Sequence, residues 1–153
     1  MKKSAGILVY RKTDEVEVLL THPGGPYWEK ATDHCYSIPK GELEGLESSK
    51  KAAVREFKEE TNLDAKIDEL DYLASKKISN KKLAIIFVLN KDYDLSNCKS
   101  NTFTMEFNGI IQEFPEVDGY KWFKLDEARN MIFNSQVYFI DRFKEYINDK
   151  WFY

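Results

Sequence analysis

Six consecutive residues, Arg55-Glu56-Phe57-Lys58-Glu59-Glu60, carry the densest chemistry in the chain. On a helix, residues three and four apart share a face. Glu56, Glu59 and Glu60 would therefore project together. Three like charges on one face repel, and a helix shaped for stability alone would avoid them. A divalent cation removes the conflict. Carboxylate oxygens are hard ligands that suit Mg2+ or Mn2+, which bind through carboxylates, waters and substrate phosphates. Arg55 lies four residues before Glu59 and can hold that carboxylate in place. Solvated glutamate-rich helices are common, so an acidic helix in an unrelated domain would look the same by itself.

The elements around this cluster follow from pattern. Residues 5–10 form an apolar run fit for a buried strand, and Val16 to Leu20 a second strand across a polar turn. His22-Pro23-Gly24-Gly25-Pro26 reads as loop, because two prolines and two glycines break regular structure. Tyr36 to Ile38 is a short extended piece ending at Pro39. Lys40 to Gly45 is polar, holds two glycines and reads as loop. A helix then starts near Ser48, places Ala52, Ala53 and Phe57 on a narrow apolar stripe, and stops near Asn62. Strands are expected over 65–76, 83–89, 102–107 and 120–123, the second almost wholly apolar and so central. Helices are expected over 125–132 and 136–148. The order, strands then helix then strands then helix, predicts an α+β fold with a mixed sheet between helices.

Composition bounds the rest. The chain has 153 residues, 42% hydrophobic and 14% aromatic. That reads as one domain, 1–153, with roughly 70% of the unfolded chain's surface buried. The charge of −3 gives no footprint of a nucleic-acid binder, which shows a basic excess. No apolar run approaches the roughly 18 residues of a membrane span. The basic-then-apolar start ends at Arg11 without a small-residue cleavage site, so it reads as a strand rather than a signal peptide. Cys35 and Cys98 make no metal-type spacing and read as reduced thiols of a cytoplasmic protein.

The surroundings of the acidic cluster are specific. Gly41 is followed by five residues and Glu47, then by seven residues and Arg55-Glu56-Phe57-Lys58-Glu59-Glu60-Thr61-Asn62-Leu63. This resembles the Nudix box of the MutT-like hydrolases. One fixed position departs: Asn62 stands where the family has Gly. Asn is the next-best residue at a left-handed helix end, so the turn should survive. The resemblance implies the Nudix fold and a divalent-metal-dependent hydrolase that cuts a nucleoside diphosphate linked to another group. Carried over, Glu56, Glu59 and Glu60 are metal ligands and Arg55 orients a carboxylate. Glu47 supports the loop and helix by ion pairing. Gly41 lets the backbone approach the metal, with the Lys40 carbonyl as a further ligand.

Flanking stretches point to a substrate. Tyr36-Ser37-Ile38-Pro39-Lys40-Gly41 is similar to the Trp-x-x-Pro-Lys-Gly stretch of Nudix enzymes acting on dinucleoside polyphosphates, with Tyr36 in place of Trp. Lys40 would then meet a phosphate as a point charge. Glu116-Val117-Asp118-Gly119-Tyr120-Lys121-Trp122 is similar to the Glu-His-x-x-Tyr-x-Trp stretch of the diadenosine tetraphosphate hydrolases. It nominates Glu116 as a further ligand or base, with Glu106 and Glu113 as rivals. The Ser4-Ala5-Gly6 start, the His22 to Pro26 loop and Phe114 to Asp118 are similar to bacterial Nudix proteins of unassigned substrate. His22, Tyr27, Trp28 and His34 are candidates to stack a base or touch phosphate, or to cap the core. Trp151-Phe152-Tyr153 reads as packing or an oligomer contact, in a monomer or homodimer. The expected partner is a small nucleotide. The competing reading is a non-catalytic Nudix-fold nucleotide sensor.

Overall fold

The computed structural model describes residues 1–151, and for Trp151 the backbone alone. Its elements are β1 (Lys2–Lys12), β2 (Val16–Pro23), β3 (Lys40–Glu42), α1 (Ser49–Thr61), β4 (Asp71–Ser79), β5 (Lys82–Asn90), β6 (Thr102–Phe107), β7 (Ile110–Pro115), β8 (Val117–Lys124), α2 (Leu125–Met131) and α3 (Val137–Trp151). The main sheet has six strands in the order β4-β5-β1-β2-β8, with β3 also paired to β1. β1 and β5 run parallel and the other pairs antiparallel, so the sheet is mixed.

Alternation along β1 explains the layers. Successive strand residues point to opposite faces. Ile7 and Val9 pack in one core with Ala52, Ala53 and Phe57 of α1. Leu8 and Tyr10 pack in a second core with Ala128 of α2 and with Phe139, Ile140, Phe143 and Ile147 of α3. The sheet thus lies between α1 on one face and α2 with α3 on the other, as the α+β reading expects.

Four local expectations are corrected. Residues 22 and 23 are not loop: β2 runs to Pro23, paired with β8 across an irregularity at His22/Pro23. A proline is tolerated there because it falls at that break in the ladder. Lys40 to Glu42 is not loop either: as β3 it pairs with Ser4 to Gly6 of β1. The strand expected from residue 65 begins at Asp71, after a 3-10 turn over Ile67–Glu69. β7 has no counterpart among the expected strands; it pairs only with β6, in a separate two-stranded sheet. Cys35 and Cys98 are both free thiols. Among the described residues no helix is long and apolar enough to cross a membrane. The expectation for the Trp151 side chain, Phe152 and Tyr153 lies outside the described residues.

Candidate active site

α1 presents the acidic cluster. Ser48 caps its start by accepting from the Lys51 N–H at 3.2 Å. Asn62 ends it with φ 65°, and its N–H donates to the Lys58 carbonyl. The turn that the family builds with Gly is therefore kept. Ala52, Ala53 and Phe57 pack against the sheet, while Glu56 lies against Gly41 of β3 and Glu60 lies with Glu116.

Arg55 ties the loop to the helix. Its Nη2 lies 2.6 Å from Glu47 and donates to the Glu42 carbonyl at 2.9 Å. Its Nη1 lies 2.8 Å from Glu56 and 3.4 Å from Glu59. Arg55 thus holds Glu56 more closely than Glu59, the carboxylate that spacing alone suggests. Glu47 also accepts from the Glu44 N–H at 2.7 Å. The Arg55 hydrogen bond holds the Glu47 carboxyl below its usual range.

Gly41 lies against Glu56: a Cβ there would fall 2.0 Å from the Glu56 carboxyl carbon. Only a residue without a side chain leaves that carboxylate its place. Thr21, Pro23, Ser37, Lys40, Glu60, Glu116, Val117 and Phe133 line a cleft of about 190 Å³. Burial, then the nearby Glu56, push the Glu60 carboxyl up to about 8. Burial also raises Glu56 and Glu116, and the Glu59 charge adds to both. Burial lowers the Lys40 ammonium; Glu60 opposes that and Lys82 reinforces it.

Glu116 reaches the cluster through a segment that sequence reasoning misses. The helix leaves its last carbonyls without intrahelical partners. The Lys99 N–H donates to the Thr61 carbonyl, the Asn101 N–H to that of Glu59, and the Tyr120 hydroxyl to that of Glu60 at 2.6 Å. The Glu116 N–H in turn donates to the Asn101 carbonyl. Capping α1 and setting Glu116 beside it are one arrangement. Glu106 and Glu113 stand on the β6–β7 hairpin and do not line the cleft.

The aromatic candidates divide. Trp28 packs on Phe133, whose ring lines the cleft, with centroids 5.0 Å apart. Tyr27 is 81% exposed. His22 pairs with Asp118 at 2.6 Å and rests on the Tyr36 ring, outside the cleft lining. His34 contacts the Ile132 carbonyl through Nδ1. Phe133 is a cleft residue that the sequence does not single out; nothing in its local pattern marks it.

Among the described residues no three acidic, histidine or cysteine side chains are preset around one metal position. Mg2+ needs no such cage, since it keeps waters and takes one or two carboxylates with substrate phosphates. The donor set fits: carboxylate oxygens dominate, and the Gly41 gap keeps Glu56 in reach of the loop backbone.

The NUDIX domain family model matches residues 1–143. The chain belongs to the Nudix family. Among solved structures, it is similar to the Caenorhabditis elegans Ap4A hydrolase in a binary complex, at 22% identity and a TM-score of 0.65, over 97% of this chain and 99% of that one. It is similar to the NUDIX domain of Shewanella oneidensis NrtR complexed with ADP ribose, at 15% identity and a TM-score of 0.66, over 95% and 87%. A MutT/nudix family protein from Enterococcus faecalis is 16% identical with a TM-score of 0.59, over 96% and 62%. These likenesses show the fold. No curated protein matches the chain.

Proposed function

We propose that this Nudix chain is a divalent-metal-dependent hydrolase of a nucleoside diphosphate linked to another group, with dinucleoside polyphosphates as the leading class. The observation that carries this reading is the cleft in which Glu60, Glu116 and Lys40 meet beside Glu56, Glu59 and Arg55. Glu56, Glu59, Glu60 and Glu116, with the Lys40 carbonyl, would hold Mg2+ or Mn2+. A bound metal would neutralise phosphate oxygens and lower the pKa of a water. Arg55 fixes Glu56, and Lys40 faces a phosphate as a cation. A carboxylate that accepts the water proton contributes roughly 100- to 10,000-fold. All the box carboxylates are present, which favours turnover over the sensor reading.

The test is turnover against diadenosine polyphosphates, nucleoside triphosphates, nucleotide sugars and dinucleotide cofactors, with Mg2+, Mn2+ or chelator. Chelator-sensitive cleavage is expected, and Glu59→Gln should lower kcat by about 100-fold or more with an unchanged melting curve. Nucleotide binding without cleavage under either metal would sink the hydrolase reading and favour the sensor.

A further inference from the structure

One edge of the molecule is basic although the chain is acidic overall. No Asp or Glu occurs between Asp71 and Asp92, a stretch that holds Lys76, Lys77, Lys81, Lys82 and Lys91. Sheet register gathers part of this charge. Lys2 stands directly opposite Lys82, and Glu42 opposite Ser4 two residues along. Like charges opposite each other destabilise a sheet. A single carboxylate answers both: Glu42 Oε1 lies 3.8 Å from the Lys2 ammonium and 3.9 Å from that of Lys82. Lys81, in the turn, has no acidic partner among the described residues. Lys2, Ser79, Asn80, Lys81 and Lys82 line an open depression of about 440 Å³.

This basic edge lies near the cleft: the Lys82 charge acts on Lys40, which lines it. Lys40 is opposite Gly6 and Glu42 opposite Ser4, so Lys40, Glu42, Lys2 and Lys82 share one face of the sheet. From the Gly6 row to the Lys2 row is four strand residues, about 13 Å. That exceeds the reach of a single diphosphate linkage.

We infer that Lys2, Lys81 and Lys82 form an anion subsite beyond the cleft, which takes the distal phosphates of a substrate with a long linear phosphate chain. The inference rests on the hydrolase reading for the orientation of that chain. It separates polyphosphate substrates from nucleotide sugars, which have no distal phosphates to place there.

The test compares wild type with Lys81→Gln/Lys82→Gln, two exposed changes. Calorimetry in metal-free buffer uses inorganic tripolyphosphate and inorganic diphosphate as probes. Tripolyphosphate affinity should fall about tenfold in the variant, and diphosphate affinity should hold. With Mg2+, KM for a dinucleoside tetraphosphate should rise about tenfold at constant kcat, while a dinucleoside diphosphate is unaffected. Lys81→Arg/Lys82→Arg should restore both. Equal tripolyphosphate binding by variant and wild type overturns the subsite. So does an equal loss for long and short substrates, which would mark a diffuse field. Tighter variant-sensitive binding of single-stranded RNA overturns it too. Patch-dependent tripolyphosphate binding in a protein that cleaves nothing would support the subsite and count against the hydrolase reading alone.

Discussion

Gly41 is the residue where one methyl group should separate fold from activity. A Cβ there meets the end of the Glu56 side chain, which can swing aside. Gly41→Ala should therefore keep the melting temperature but displace the carboxylate, lowering kcat by about 100-fold, as misplaced catalytic groups do. A wild-type kcat would refute the close-approach argument. Glu60 gives a second residue-level prediction. Its folded pKa of about 8 lies above the ordinary carboxylate range. The folded state then holds a proton that the unfolded chain has released. Stability of metal-free protein should fall as pH rises from about 4.5 through 8, then level off. Melting in chelator from about pH 5 to 9 checks this, and Glu60→Gln should flatten the slope. The box glutamates were legible because helical spacing is local. Glu116 came only from resemblance, since its approach depends on a relay through Asn101, which accepts from the Glu116 N–H and donates to the Glu59 carbonyl. The substrate role expected of His22 has no support in its placement, because His22 turns to Asp118.

Helix α1 depends on its left-handed end. Asn62 adopts φ 65° and its Nδ2 donates to the Asn97 carbonyl at 3.3 Å. Asn62→Ala places a Cβ in that conformation without the side-chain bond and should cost about 1 kcal/mol. Asn62→Gly should recover most of it, both read from denaturant midpoints. An unchanged midpoint in the Ala variant would mean that the strands hold the turn without help. The helix and its end were legible from the apolar stripe and from Asn62 itself. The β6–β7 hairpin was half legible. Asn108-Gly109, both at positive φ, is a strong hairpin turn signal beside the expected strand 102–107. β3 was hidden for a different reason: its polar, glycine-bearing sequence looks like loop, and only the free edge of β1 makes it a strand.

At the scale of the molecule, the sheet separates two cores, and the one beneath α1 carries the box helix. Phe57 is fully buried between α1 and the sheet, and Phe143 is fully buried on the opposite face against Tyr10. The mixed order of strands was legible as a fold class, but the division of β1 between the two cores emerges only from pairing. Truncating either phenylalanine to Ala should cost about 3–5 kcal/mol, because each leaves a comparable cavity. Their effects on turnover should differ. Phe57 sits between Glu56 and Lys58 on the helix that carries every box carboxylate from Glu56 onward, so its loss lets that face move. Phe143 supports α3, which contributes no residue to the cleft. Assayed well below both melting transitions, Phe57→Ala should lose most of its kcat, and Phe143→Ala should remain within about twofold of wild type. Equal losses would show that the two cores act as one mechanical unit and that the site depends on the whole sheet rather than on the face beneath α1.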